Sequence, residues 1–424
     1  MRATDFLKAK LRPTFVYRPF LRRKANRQEQ LYLQIREEAY RRLPDAFAAP
    51  GYLSRSKELL QQSWSGPRTV KSIPQEMRLF IIDQPGMVGP WFEEELARHF
   101  EVVVFSMSRH KVGFAQGMDD LISFSMGIDP DDRLRKPMPS GSMENLMEWR
   151  DRLQGDILTA ISQAHGERPI DLCFAYGSHT EFEPETFHRI RKLNIPVALW
   201  WLDEKHAFKE RPFGHPNGQE PLIGSCDLHL TNSSECIRWY MAKAVAAYYF
   251  PQAIDPEIYH PRDVKRDIPV SFIGAAYGQR FGFIQRLKEA EVPVECFGPG
   301  WENGVIDDLV EIFCRSRINL GMGFTGLSRQ LTCIKERDFQ VPATGSLYLT
   351  TYDPELARLF DVGREILCYR DEMDCVEQIR YQLERPEEAE VIGKTGRERC
   401  LREHTWRHRM VGLLKWMGIL AQEA

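Results

Sequence analysis

Short apolar runs, closed by Gly, Pro or an acid and followed by residues at helical spacing, recur along most of this chain. The first is MRLFIID (Met77–Asp83), followed by Glu101–Phe105, Ile170–Tyr176, the strongly apolar IPVALWWL (Ile195–Leu202) and Leu228–Asn232. A second series comprises Pro269–Ile273, Val292–Phe297, Ile318–Leu320, Ser346–Thr351 and Glu365–Tyr369. Runs of this kind predict buried strands. Between them the spacing predicts helices over Trp91–His99, Met143–Ala164, a stretch ending near Leu193, Cys236–Ala244 and Phe281–Ala290, and a short helix that stops at Gly345. Asp353 and Pro354 read as N-cap and first residue of a further helix, Glu355–Phe360. Strand and helix alternate as in βαβ units, so the chain is predicted to be α/β with parallel sheets. Ligands of such sheets collect at the carboxyl edge of the strands. The Gly345-terminated helix is expected to face that edge.

The ends of the chain differ from its middle. Met1–Arg42 carries twelve Lys/Arg against four acids, and Leu31, Ile35 and Ala39 place an amphipathic helix over Gln28–Leu43. Two readings stay open for residues 1–42: docking to an anionic membrane or acidic partner, or a helical extension packed on the main body. Residues 108–142 are Gly-, Asp- and Pro-rich and read as a surface loop. Glu384–Arg399 reads as a charged surface helix and Thr405–Gln422 as an amphipathic one. Tyr249–Pro261, with its prolines, suits a stiff linker. The organisation expected is therefore 1–74 basic helical extension, 75–250 first α/β domain, 251–404 second α/β domain, and 405–424 terminal helix.

Composition narrows the functional classes. The 424 residues are 43% hydrophobic and 28% charged with a net charge of −3, which gives no global pull toward nucleic acid. Nine scattered cysteines without a CxxC pair suit reduced thiols in a cytoplasmic compartment rather than disulfides or zinc. No run approaches the roughly 20 apolar residues of a membrane span, and nothing at the start reads as a signal peptide. A dehydrogenase is disfavoured, because no first-strand Gly-x-Gly-x-x-Gly with a downstream acid is present.

The candidate chemistry clusters after predicted strands. Gly274-Ala-Ala-Tyr-Gly-Gln-Arg280 places a glycine turn and Arg280 at the head of a helix, a pattern that clamps a diphosphate. Gly321-Met-Gly323-Phe-Thr-Gly326 lacks the Gly-Lys-Ser/Thr of a P-loop and opens as a glycine-rich loop ahead of Arg337. In the first half, Gly86 and Gly89 follow the first strand, His179 and Glu181 follow the third, and Asp203, Glu204 and His206 follow IPVALWWL. Asp203 is a carboxylate placed where ligand-contacting residues collect, with ordering of the following loop as its structural reading.

The run Arg337-Asp-Phe-Gln-Val-Pro-Ala-Thr-Gly345, then Thr-x-Asp-Pro-Glu-Leu, Phe-x-x-Gly-x-Glu and Tyr-Arg-Asp, resembles the C-terminal domain of CgeB-like glycosyltransferases, spore-maturation-type members of the GT-B superfamily. The resemblance covers about residues 76–410 and is strongest over 335–370. It implies two Rossmann-like domains facing across a cleft, with the last helix crossing back to the first domain. It also implies transfer of a sugar from a nucleotide-sugar donor to an acceptor hydroxyl, with no metal or other cofactor. The donor would be held by Gly274, Arg280, Gly323, Arg337, Gln340 and Gly345, with Gln340 where the family pattern has a ribose-binding Glu. Asp203 and His179 would stand on the catalytic side, and Gly86, Gly89 and Glu181 would line the acceptor side. The related glycogen-synthase-like clan ends the corresponding strand in His-Asp; here Leu202 and Asp203 stand there. Gln340 and the missing His motivate the rival reading of a non-catalytic nucleotide-sugar-binding or scaffold subunit. A cytoplasmic location, with membrane association at the cytoplasmic face through residues 1–42, completes the expectation.

Overall fold

The computed structural model describes residues 17–43, 51–64, 66, 69–83, 91–107, 142–202, 204–209, 218–276, 278–325, 328 and 330–423. Two parallel sheets organise them. The first has six strands in the order β2-β1-β3-β4-β5-β6. These are β1 (Arg78–Asp83), β2 (Glu101–Ser106), β3 (Leu172–Tyr176), β4 (Val197–Trp201), β5 (Leu228–Thr231) and β6 (Ala247–Tyr249). The second has five in the order β11-β10-β9-β7-β8. They are β7 (Ile268–Ile273), β8 (Val294–Phe297), β9 (Ser316–Leu320), β10 (Tyr348–Thr351) and β11 (Leu367–Tyr369). Every pairing between neighbours is parallel.

The apolar runs form these strands because helices cover both faces, and a parallel sheet covered on both faces needs no polar side. Successive side chains alternate between the faces. Leu79, Ile81, Phe174 and Trp200 thus enter one core, and Phe80, Ile82, Cys173 and Leu199 the other. Among the described residues no helix is long and apolar enough to cross a membrane.

Helices Gly51–Ser63, Leu309–Arg315 and Glu372–Glu384 and strand β6 add to the elements read from the sequence. The N-terminal helix spans Tyr17–Arg42, longer than its amphipathic signal. Ile35 and Ala39 are buried in the first-sheet core, Tyr32 Oη donates to Glu235 (2.8 Å), Arg36 pairs with Glu235 (2.9 Å), and the Arg238 guanidinium lies 3.7 Å over the Tyr40 ring. Its last arginines, Arg41 and Arg42, stay exposed.

The chain ends on the first sheet. Helix Trp406–Met417 buries Trp406, Met410, Leu413, Leu414 and Met417 in the same core as Phe174 and Trp200, and Trp406 meets Phe92 (4.7 Å) and Trp200 (5.6 Å) edge-on. Thr405 caps its start, and Gly418, at φ 77°, ends it. The two passages between the sheets pair where they cross: Ile254 N donates to His404 O (3.0 Å) and Trp406 N to Ile254 O (3.3 Å). Beside this crossing Arg98 donates to the buried Asp255 (2.5 Å).

Glu95, only 2% exposed, accepts from the backbone N–H of Trp406 (2.9 Å) and Arg407 (3.2 Å). A carboxylate suits the positive end of a helix, yet burial outweighs those donors and pushes the Glu95 carboxyl up to about 7. The folded protein therefore binds this proton more tightly than the unfolded chain does. Stability from this group is present at low pH and is lost as pH rises from the unfolded carboxyl range through about 7. The loss is on the order of 3 kcal/mol. Urea unfolding from pH 5 to 8 should show Glu95→Gln gaining on the wild type across that window. A pH-independent difference would contradict the assignment.

Candidate functional site

In the second sheet the chain leaves β7 on one side for β8 and returns to its other side for β9. Loops from β7 and β9 therefore diverge and leave a crevice at the carboxyl edge, the place where open α/β sheets bind ligands. Arg280, the first residue of helix Arg280–Glu289, follows the β7 loop, and Arg337, the first of helix Arg337–Ala343, follows the β9 loop. The topology thus sets two guanidiniums on opposite lips of one crevice.

Local packing holds each lip. A Cβ on Gly274 would stand 3.2 Å from the Phe272 ring and 3.3 Å from Arg280 Nη1, so a larger residue in the β7 turn would press on both side chains. Trp301 Nε1 donates to Gly274 O (2.7 Å), Arg280 Nη1 donates to Ala275 O (3.3 Å), and the guanidinium sits 5.9 Å from the Phe272 ring centre. In the β9 loop, Gly323 N donates to Thr351 Oγ1 (3.3 Å), and Phe324 and Thr332 form an antiparallel bridge. Buried Ser328 accepts from Gln330 N and Leu331 N and donates to Glu29 of the N-terminal helix.

The charged groups of the two lips act on one another. Burial lowers the pKa of Arg337, the neighbouring Glu336 raises it, and the like charge of Arg280 lowers it further. Arg337 Nε has no hydrogen-bond partner among the described residues. Glu336, mostly buried, precedes it in the chain, and burial pushes its carboxyl up to about 7 against the pull of Arg337 and a hydrogen bond from Gln340.

Gln340 does not stand at the surface of this crevice. It is 1% exposed, and its Nε2 donates to Tyr259 Oη of the linker (2.8 Å). Gly345 corrects the expectation more sharply. It ends the Arg337 helix at φ 72°, but a crossover helix that starts at the carboxyl edge ends at the amino edge. Gly345 therefore packs against Pro261 and Arg397, away from Arg280 and Arg337. Asp353 and Pro354 precede a helix of only Leu356–Leu359, and the Asp353 carboxylate accepts from Glu355 N (2.8 Å) and Thr332 Oγ1 (2.7 Å).

The first sheet has its own switch point, between β1 and β3. Gly86, Gly89 and Asp203 lie outside the described residues, as does the side chain of His206. His179 and Glu181 follow β3. Glu181 is turned inward: its carboxylate accepts from Ser178 N (2.8 Å) and Oγ (2.9 Å) and orders the turn, while burial raises its pKa. His179 is buried with its Nε2 3.7 Å from Glu183, and its carbonyl accepts from Arg150 (2.7 Å). Sequence reading missed a carboxyl pair here. Asp83 ends β1 and Glu93 opens the next helix; burial, then the charge of Asp83 and a hydrogen bond to it, raise the pKa of Glu93. An Asp closing a strand followed by an acid in the next helical turn was its available signal.

The two carboxyl edges touch beside the β9 loop. Lys205 Nζ donates to Thr332 O (2.9 Å), Asn232 Nδ2 to Ile334 O (3.4 Å), and Ser234 N and Oγ to Glu355 (2.8 and 2.5 Å).

Residues 280–415 match the family described as Glycosyl transferase-like. No curated protein sequence matches the chain. Sucrose-phosphate synthase from Thermosynechococcus elongatus superposes with a TM-score of 0.50 at 12% identity, covering 80% of this chain and 98% of that one. Anabaena HepE, solved with UDP-glucose, superposes with a TM-score of 0.50 at 10% identity, over 80% of this chain and 99% of that one. With its two facing parallel-sheet units, the chain has the GT-B fold.

Because Gln340 is buried against Tyr259, replacing it with Glu acts on the fold before it acts on any ligand. Gln340→Glu should lose about 1–3 kcal/mol of stability at pH 8 and recover as pH falls and the new carboxyl takes up a proton. Thermal unfolding at pH 5.5 and 8 measures this. An unchanged melting temperature at both would place Gln340 in contact with solvent instead.

Proposed function

We propose that the chain is a metal-independent glycosyltransferase of the CgeB-like type, moving a sugar from a nucleotide-sugar to an acceptor hydroxyl in the cleft between the sheets. The observation that carries this is the pair Arg280 and Arg337 on the two lips of the β7/β9 crevice, with Arg337 Nε unpartnered among the described residues. Two guanidiniums beside the start of a ten-residue helix suit the two phosphates of a nucleoside diphosphate. The Glycosyl transferase-like match covers both arginines. The run from Arg337 to Gly345 supports the CgeB-like subtype, and the UDP-glucose held by HepE makes a UDP-sugar the first donor to test.

In this reading the acceptor oxygen forms a bond to the anomeric carbon while the bond from that carbon to the phosphate oxygen breaks. The electron pair leaves on the diphosphate, and Arg280 and Arg337 stabilise the charge that develops there. The hydroxyl proton passes to a carboxylate on the first-sheet side, for which Asp203 is the proposed base; Asp83 and Glu93 stand at the same edge. Gly274 and Gly323 shape the two lips, and Gln340 supports the helix that presents Arg337.

Calorimetry with UDP should show Arg280→Ala and Arg337→Ala each weakening binding by about 1–3 kcal/mol. Unchanged affinity in both would remove the diphosphate site from this crevice. Asp203→Asn should lower turnover by about 10²–10⁴-fold with donor affinity retained. A wild type that binds donor but neither hydrolyses nor transfers any nucleotide-sugar would favour a non-catalytic binding subunit.

A further inference from the structure

We propose that Glu29 of the N-terminal helix is a positioning residue for the β7/β9 crevice: it props the β9 loop from the first-sheet side and so sets how tightly a nucleoside diphosphate is held. This rests on the diphosphate reading of Arg280 and Arg337.

The β9 loop folds back on itself ahead of Arg337. Cys333 N donates to Gly323 O (3.0 Å), Thr325 N donates to Leu331 O (2.8 Å), and Phe324 bridges Thr332 between them. One arm of this hairpin leaves β9, and the other leads through Lys335 to the helix that opens at Arg337. Its far end is gathered on a single hydroxyl. Ser328 is 0% exposed, and its Oγ accepts from Gln330 N (3.0 Å) and Leu331 N (3.1 Å). A hydroxyl has two lone pairs and one proton. The loop amides take the lone pairs, so the proton needs an acceptor from elsewhere, and Glu29 supplies it.

Glu29 is itself fixed from the first-sheet side. Ala25, Glu29, Tyr32 and Arg36 recur at three- and four-residue spacing, which puts them on one face of helix Tyr17–Arg42. On that face Ala25 is buried, and Tyr32 (2.8 Å) and Arg36 (2.9 Å) both hold the Glu235 carboxylate at the head of helix Ser234–Met241. Farther along, Glu38 pairs with Lys243 (3.4 Å) and Lys209 (3.6 Å). The helix is thus seated on the first sheet, and Glu29 is where it reaches the second. Without that acceptor the Ser328 proton is left buried and unpaired, a state the loop leaves by turning the hydroxyl away from Gln330 and Leu331 or by moving into water. Either movement is passed along the hairpin to the lip that carries Arg337.

The bond needs an acceptor rather than a charge. A Gln at position 29 accepts through its amide oxygen, and an Ala cannot. Both residues suit a helix interior, so neither variant disturbs the helix itself. The test is calorimetry with UDP on the wild type, Glu29→Ala and Glu29→Gln, with native-state hydrogen exchange of the Gln330 and Leu331 amides in the same proteins. Glu29→Ala should bind UDP about 2- to 30-fold more weakly and exchange faster at those amides. Glu29→Gln should stay near the wild type in both. A lower melting temperature for Glu29→Ala with unchanged UDP affinity overturns the positioning role and leaves the diphosphate site standing. Equal weakening in the Ala and Gln variants also overturns it, because the effect then follows the charge. A wild type that binds none of UDP, ADP, GDP or TDP overturns both this role and the diphosphate reading.

Discussion

Two like charges held on facing lips of one crevice repel each other, and a fold that keeps them there must hold each from behind. Arg280 is held by the glycine turn under it, the Phe272 ring and the Ala275 carbonyl. Arg337 is held by a helix anchored on two sides, through Gln340 to Tyr259 and through Asp338 to Tyr348 (2.7 Å). Neither lip yields without disturbing a core. An anion that bridges them relieves the repulsion and gains charge-assisted hydrogen bonds in a partly desolvated place, where such bonds are strongest.

The same anchoring ties the crevice to the rest of the chain. Tyr259 lies in the linker, which pairs with the start of the last helix and sits beside the Arg98–Asp255 bond. The last helix is built into the first-sheet core around Trp200 and Trp406. The N-terminal helix, packed on that core, reaches the β9 loop through Glu29 and Ser328. Displacement of one sheet against the other is therefore felt at Arg337 from both the linker and the loop.

The sheets were legible because parallel strands covered on both faces need continuous apolar runs, and MRLFIID and IPVALWWL are such runs. Arg280 and Arg337 were legible because each opens a helix after a strand. Helix Leu309–Arg315 was not, since it runs into β9 at Ser316 with no glycine or proline between them. Helix Glu372–Glu384, capped by Asp371, is parted only by Arg385 from the next, which begins at Pro386. The stop at Gly345 was read correctly but set at the wrong edge, an error of topology rather than of local conformation. Gln340 looked like a ligand contact because its partner Tyr259 lies 81 residues away in sequence. The raised carboxyls of Glu336 and Glu93 were invisible for the same reason: desolvation comes from elements that meet only in the folded chain.

The central claim is a place, the crevice between β7 and β9. A crystal of the protein soaked with a nucleoside diphosphate tests it most directly. The account predicts phosphate density within hydrogen-bond distance, about 2.7–3.2 Å, of the guanidiniums of both Arg280 and Arg337. Phosphate density at the β1/β3 switch point of the first sheet, with both guanidiniums uncontacted, would contradict it.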